Sequence, residues 1–289
     1  MADNQDSENI TAEVTNSKFS WQRTKTGSSR SKSPRRYSKI LFIVLGIIIV
    51  ILLVNAFVDY GPYNYVCTID NRGFTTCSYF TKQVLPTGCP PDCQNIDLSQ
   101  ANLSGVDWSW AKMANTNLSR AELRHARLYS ANLENADLRW ADARHIYLLA
   151  AQLTRADLRN VQLSHADLRD TNLEDANLSG ADLLAANLSV CQARRANFAD
   201  IDLSGGSLSK CNLREANFQG ANLENVDFTD SIVIAADFHE ANLTGTDLRW
   251  ADFREANLEG TILTGARANI NTAWPDGFDA EAHGVEIRY

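Results

Sequence analysis

The chain has 289 residues, and Ala (35), Leu (31), Asn (25) and Asp (23) supply 114 of them. The net charge of −8 argues against a general nucleic-acid-binding protein, because phosphate recognition needs a basic surface. The low content of Gly (15) and Pro (6) excludes a collagen-like chain and a low-complexity linker. The abundance of Asn and Asp also argues against a plain helical protein, since their side chains compete with the helix for backbone hydrogen bonds.

Residues 1–39 are polar, with 8 basic and 4 acidic residues, and predict a disordered basic tail. Residues 40–58 follow as 19 residues without a charge. At about 1.5 Å per residue, a helix of this length nearly spans a hydrocarbon core of about 30 Å, which predicts a transmembrane helix. A cleaved signal peptide is the alternative, although the preceding segment is long for one.

The charges that flank residues 40–58 predict the orientation of this helix. Four basic residues precede it closely, and only Arg72 and Lys82 occur in the thirty residues after it. The excess of positive charge on the cytoplasmic side of membrane helices therefore places the N-terminus in the cytoplasm and the rest of the chain outside it.

Residues 59–95 form a neck rich in aromatic residues that contains Cys67, Cys77, Cys89 and Cys93. Outside the cytoplasm such cysteines usually form disulfides. Three pairings are open, and we favour Cys67–Cys77 with Cys89–Cys93 because both close short loops. Zinc is the alternative, but the pair Cys89 and Cys93 lacks a matching second pair of ligands. The neck is expected to cap the N-terminal end of the region that begins at residue 96.

Residues 96–270 divide into 35 consecutive groups of five without an insertion. The central position of each quintet, from Leu98 to Ala268, is Leu in 24 and Phe in 5. The position two residues earlier is Ala in 21, and Asn or Asp lies between them in 24. Neither a helix nor a long strand keeps a five-residue period on one face. The pattern instead predicts a short strand with two inward residues, followed by a corner.

A second period of 20 residues relates whole sets of side chains. It relates Phe198, Phe218 and Phe238, then Cys191 and Cys211, and also His125, His145 and His165. Four quintets in each coil would stack each set into a column, with about 4.8 Å between coils. Thirty-five quintets then make a rod of roughly 42 Å. The Phe and Cys columns are expected to lie in the core, with both cysteines as small buried hydrophobic residues.

The quintets resemble those of the pentapeptide-repeat proteins. Residues 131–135 (Ala-Asn-Leu-Glu-Asn) and 156–160 (Ala-Asp-Leu-Arg-Asn) carry the resemblance, which covers about 60% of the chain. It implies an all-β fold, a right-handed quadrilateral parallel β-helix, here preceded by one transmembrane α-helix. Residues 274–279 (Trp-Pro-Asp-Gly-Phe-Asp) resemble the tail of such proteins in photosynthetic bacteria. This implies a periplasmic or thylakoid-lumenal repeat domain, with residues 271–289 as the C-terminal cap.

No catalytic constellation, cofactor motif or resident metal site is predicted. The surface charge is uneven: residues 96–170 carry 9 basic and 9 acidic groups, whereas residues 171–270 carry 7 and 15. The N-terminal half of the repeat region contains the His column and neighbouring arginines. These residues suggest a binding strip for a carboxylate, an anionic headgroup or a pigment, with exposed Trp side chains that anchor the partner. There are two alternatives: a transition-metal site on the His column, or a solvent-exposed surface that binds no partner. The candidate residues are Arg124, His125, Arg144, His145, His165, Trp110, Trp140 and Trp250.

Three functions remain open from the sequence. The first is a non-enzymatic membrane-anchored scaffold that binds another membrane or extracytoplasmic protein. The second is a DNA mimic that protects or inhibits a topoisomerase, as the family resemblance implies for soluble acidic members. The third is a self-associating structural protein of the cell envelope, where the capped ends leave side-by-side homodimers open.

Overall fold

The computed structural model describes residues Glu13–Thr15, Lys18–Ser20, Tyr63–Ile69, Thr75–Thr81 and 89–288. The chain divides into two compact units, Met1–Asp59 and Tyr60–Tyr289. The predicted transmembrane helix at 40–58 lies outside the described residues. Within the described part, no helix is long and apolar enough to cross a membrane.

The first unit contains a short antiparallel pair, β1 (Glu13–Thr15) and β2 (Lys18–Ser20). Its central partners are Val14 and Phe19. A β-branched residue and an aromatic residue favour strands, and Asn16 and Ser17 between the strands are of turn-forming types. The composition of residues 1–39 predicts no regular structure, so this small hairpin is a local departure from that expectation.

The neck contains a second antiparallel pair, β3 (Tyr63–Ile69) and β4 (Thr75–Thr81). Its register places Cys67 opposite Cys77, as the expected disulfide requires at the backbone level. Their side chains lie outside the described residues, so that disulfide stays a prediction. The second expected pair, Cys89–Cys93, is disulfide-bonded, which confirms that part of the pairing.

The repeat begins one quintet earlier than expected. Asp92 already pairs with Lys112 of the next coil, and the Cys93 side chain is buried at the inward central position. The boundary at residue 95 was therefore wrong. The Cys89–Cys93 disulfide links this first quintet to the segment before it. The quintet is not recognised from the sequence because its central residue is Cys rather than Leu or Phe.

The solenoid is a stack of four-sided coils joined by parallel bridges. Each bridging residue pairs with the residue 20 positions later, as Asp97 does with Asn117 and Asn117 with Asp137. The ladder runs without a break from Asp92 to Arg267, which confirms the predicted 20-residue coil. Each coil contributes one short strand to each of four parallel sheets.

The corners are tight turns closed by backbone hydrogen bonds. The Ala101 amide donates to the Leu98 carbonyl at 3.1 Å, and equivalent bonds follow at the other corners. The third residue of each four-residue turn has a positive φ. These residues recur every five positions, from Asn95 to Gly265. A positive φ at this one position is the signature of a type II turn, for which Gly and Asn are the residues with least strain. Val190, with φ of 68°, is the most costly occupant because it is β-branched.

The interior is solid. Leu, Phe and Ala fill the inward positions of every coil. Phe218 stacks on Phe198 and on Phe238 with ring centroids 4.9 Å apart in both cases. Cys191 and Cys211 are buried free thiols, and the Cys211 thiol donates to the Leu188 carbonyl at 3.0 Å. The side chains of both columns thus lie in the interior.

The C-terminal cap closes the last coil. β5 (Arg267–Asn269) pairs in parallel with β6 (Glu286–Arg288), and a 3₁₀ helix spans Glu281–His283 between them. One extra residue shifts the ladder, since Asp252 pairs with Ala273. The Trp274 ring stacks on Phe253 at 5.4 Å and on Phe278 at 5.3 Å, so aromatic rings continue the core into the cap.

Candidate binding surface

The four sides of the solenoid differ in their outward residues. We name them by the central outward residue of each strand: face 1 passes through Lys112, face 2 through Asn117, face 3 through Glu122 and Asp142, and face 4 through Arg127 and Tyr147. Because the interior is filled, recognition must use these faces and their corners.

The three histidines lie at the corner between face 3 and face 4. The rings of His125 and His145 are 4.9 Å apart with 8° between their planes, and those of His145 and His165 are 5.1 Å apart with 7°. The predicted column is therefore a continuous stack. Each His holds the turn position with positive φ, which directs the side chains along one edge.

The stack favours neutral imidazoles at its centre. Burial lowers the pKa of His145, and repulsion from His125, His165 and Arg144 lowers this pKa further. Parallel rings about 5 Å apart also keep their nitrogen lone pairs in separate planes, which does not suit a shared metal ion. Among the described residues, no group of three or more His, Cys, Asp or Glu is placed to hold a metal.

Arg124 and Arg144 are held by one carboxylate on face 3. Arg144 donates from Nε and Nη2 to Asp142, both at 2.9 Å, and Arg124 donates from Nε at 2.6 Å. The hydrogen bonds from Arg144 hold the pKa of the Asp142 carboxyl well below its usual range, and those from Arg124 add to this effect. The strip next to the histidines therefore carries one net positive charge from these three residues rather than two.

The Asp142–Arg144 pair is one case of a recurring fork. In each fork an Asp at the centre of the strand accepts from the Nε and Nη2 of the Arg two residues later, as Asp137 does from Arg139 at 2.9 Å and 2.6 Å. The same fork occurs at Asp157–Arg159, Asp167–Arg169, Asp247–Arg249 and Asp252–Arg254. A charge count along the sequence treats these arginines as open surface charge. The Asp-x-Arg spacing within a quintet was the signal that could have shown their pairing.

The structure brings only part of the candidate set together. Trp140 precedes Ala141–Arg144 in the same coil and lies at the opposite corner of face 3 from His145. Trp110 and Trp250 lie at the corner after face 4 and are 140 residues apart, which at 20 residues per coil is about 34 Å. All three Trp are exposed, as expected. The strip thus consists of Arg124, His125, Trp140, Arg144, His145 and His165, with Asp142 as the member that sequence reasoning missed.

Two family profiles cover almost all of the solenoid. "Pentapeptide repeats (8 copies)" matches residues 92–129, 131–170 and 234–267, and "Pentapeptide repeat region" matches residues 171–248. The chain belongs to the pentapeptide-repeat family. Membership in this family implies the right-handed coil that the resemblance led us to expect.

Solved pentapeptide-repeat structures are similar to this member of the family over most of the solenoid. HetL of the cyanobacterium Nostoc sp. strain PCC 7120, involved in heterocyst differentiation regulation, is 30% identical over 61% of this chain and 84% of its own, with a TM-score of 0.32. Full-length QnrB1, a plasmid-mediated fluoroquinolone resistance protein, is 16% identical over 67% and 92%, with a TM-score of 0.26. A protein of the Arabidopsis thaliana thylakoid lumen is 23% identical over 50% and 67%, with a TM-score of 0.16. A search of curated proteins finds no significant match.

Proposed function

We propose that the protein is a non-enzymatic scaffold that presents face 3 and the adjoining His corner to a partner protein. The observation that carries this proposal is the solid interior, since a rod filled with Leu, Phe and Ala has only its outer surface for recognition. The strip combines a rigid His stack, the Arg124–Asp142–Arg144 group and the exposed Trp140. Arg and Trp are the residue types that dominate binding energy at protein interfaces.

The partner chemistry follows from the charge of the strip. The two arginines exceed the one carboxylate by one positive charge. An acidic protein surface is the matching occupant, because the group is net positive and the Nη1 atoms of both arginines are not used by Asp142. A Trp at the far corner of the same face would pack beside that contact.

The proposed setting is extracytoplasmic, with residues 40–58 as the anchor and the solenoid in a periplasm or a thylakoid lumen. A reporter fused after Tyr289, active in one compartment only, tests this arrangement. Activity in the cytoplasm would overturn the setting and favour the topoisomerase-binding alternative.

Site-specific photo-crosslinking tests the binding strip itself. A photoreactive residue in place of Gln162, which is exposed on face 3 one coil after Asp142, should capture a partner in native membranes. The matched probe replaces Thr154 on face 1 of the same protein. Capture that is equal at both positions, or that persists when all three histidines are replaced by Asn, would exclude the strip as the binding surface.

A further inference from the structure

Face 4 carries an aromatic and apolar patch next to the strip. Tyr147 lies at the centre of its strand, and Leu149 and Ala150 follow at the corner. The ring of Tyr129, from the preceding coil, lies 5.9 Å from the Tyr147 ring in a tilted arrangement. Tyr147 is 37% exposed. The patch lies outside the residues of the binding strip.

The residues around the patch are arranged symmetrically along the rod. In the column of central outward residues, Arg127 lies one coil before Tyr147 and Asp167 lies one coil after it. In the column that contains Leu149, Tyr129 lies one coil before and Arg169 one coil after. In the corner column that contains Ala150, Trp110 lies two coils before and Val190 two coils after, and both are exposed.

We propose that face 4 binds face 4 of a second copy of this chain, with the two solenoids antiparallel and a two-fold axis at the Tyr147–Leu149 coil. Such an axis runs along the strands, so each residue meets the residue of the same column on the opposite side of the centre. Tyr147, Leu149 and Ala150 then each meet their own equivalents.

The pairs formed in this way are complementary at every level. Arg127 meets Asp167 of the second copy, whose carboxylate also accepts from its own Arg169, so opposite charges face each other on both sides of the axis. The Tyr129 ring meets the Arg169 guanidinium, a favourable cation–π arrangement. Trp110 meets Val190, which buries two exposed apolar side chains together. Asp107 meets Asn187, an acceptor opposite an amide donor.

The contact is small, which makes the dimer weak and reversible. Five coils at about 4.8 Å and a strand width of roughly 13 Å give a projected area on the order of 300 Å² on each copy. A standard interface buries about 800 Å² per partner, so this one belongs to the transient class. The pairing concerns face 4 alone and therefore does not rest on the proposed binding role of face 3.

Charge reversal across the axis gives a specific test. The purified full-length protein in detergent is measured by sedimentation velocity over a wide concentration range. The wild-type protein should dimerise reversibly. Arg127→Asp and Asp167→Arg should each weaken the dimer by about tenfold or more, because each places like charges opposite each other twice. An equimolar mixture of the two variants should form a heterodimer, since both contacts then join opposite charges. Arg120→Asp, which makes the same charge change at the corner between face 2 and face 3, should leave the dimer unchanged.

A second variant places a crosslink on the axis. Leu149→Cys should form a covalent dimer on mild oxidation because each Leu149 meets its own equivalent, whereas Thr154→Cys on face 1 should not. Any one of four results would overturn the proposal. These results are a monomeric wild-type protein, single reversals that dimerise like the wild type, a mixture that stays monomeric, and equal crosslinking at both cysteines.

Discussion

The Arg144 side chain donates two hydrogen bonds, both 2.9 Å long, to the Asp142 carboxylate two residues earlier in the same coil. Arg124 of the preceding coil donates to the same carboxylate at 2.6 Å. One Asp thus fixes both arginines of the candidate binding strip on face 3. This relationship sets the charge of the strip and gives the first prediction.

Asp142→Asn should destabilise the protein at neutral pH by about 1 kcal/mol, because the three hydrogen bonds from Arg124 and Arg144 lose their charged acceptor at a partly exposed site. The folded-state pKa of Asp142 lies below its unfolded value, so its stabilisation is present above about pH 4 and is lost as the pH falls through the folded-state pKa. Denaturant midpoints of both proteins from neutral to acidic pH measure this effect. The difference between the two denaturant midpoints should narrow only below about pH 4. A difference that stayed constant in acid would contradict the proposed role of the Asp142 carboxylate.

The pKa of His145 should rise when its neighbours are replaced by neutral residues. Burial is the largest cause of its lowered pKa, followed by repulsion from His125 and His165. The double variant His125→Asn/His165→Asn removes the repulsion from both neighbours and leaves that from Arg144, so the pKa should move part of the way back. Asn also tolerates the positive φ of this corner. NMR titration of the His145 ring measures the shift, and His239→Asn, far along the rod on face 2, is the control.

The His stack should also lower stability in acid. Since the folded-state pKa of His145 lies below its unfolded value, the unfolded chain binds more protons, and stability falls as the pH drops below about 6.5. Thermal melts near pH 8 and near pH 5.5 should differ less for His145→Asn than for the wild type. Identical differences in the two proteins would show that His145 does not contribute.

Replacing Phe218 tests the aromatic column of the core. Phe218→Ala should lower the free energy of unfolding by about 4 kcal/mol, because the ring is buried between Phe198 and Phe238 and leaves a cavity. Phe218→Leu, which places the commonest central residue of the quintets there, should cost only about 1–2 kcal/mol. Chemical denaturation measures both. Equal losses would mean that volume at this position matters little.

Corner strain predicts opposite effects for two reciprocal substitutions. Val190→Gly should stabilise the protein by about 1 kcal/mol, because the substitution removes a β-branched side chain from a backbone position with a strained positive φ. Gly105→Val should destabilise it by a similar amount, and space is no obstacle, since nothing lies within 4 Å of an added Cβ at Gly105. Ala185→Gly is the control and should gain less, because Ala is not branched. Melting temperatures of the three variants give the order.

The buried thiols should be unreactive in the native protein. Burial raises the pKa of Cys191, and the contact with Cys211 raises it further, so neither access nor charge favours reaction through the thiolate. A thiol reagent should label Cys191 and Cys211 only on unfolding, and Lys210→Cys, at an exposed position of the corner after face 4, should react at once. Rapid labelling of the native wild type at either position would contradict the burial.

The sequence alone determined the period, the interior and the family. Leu, Phe and Ala at fixed positions in each quintet leave one way to bury apolar side chains, and the 20-residue spacing of Phe198, Phe218 and Phe238 gives the number of quintets in a coil. The stacks of Phe and His followed directly, because each column contains the same position of successive coils. The start of the solenoid was missed by one quintet, since Cys93 does not look like a core residue until its burial is seen.

Only the tertiary structure decided which surface residues act together. A side chain on one coil meets residues 18 to 21 positions away, and which of these it chooses depends on rotamers and on competing charges. Arg124 and Asp142, 18 residues apart, form a contact of this kind, and Arg155 and Glu134, 21 apart, form another. The repeat fixed the columns and, with them, the symmetry of face 4 about Tyr147, whereas the ion pairs that set the charge of each face depend on how the columns lie beside one another.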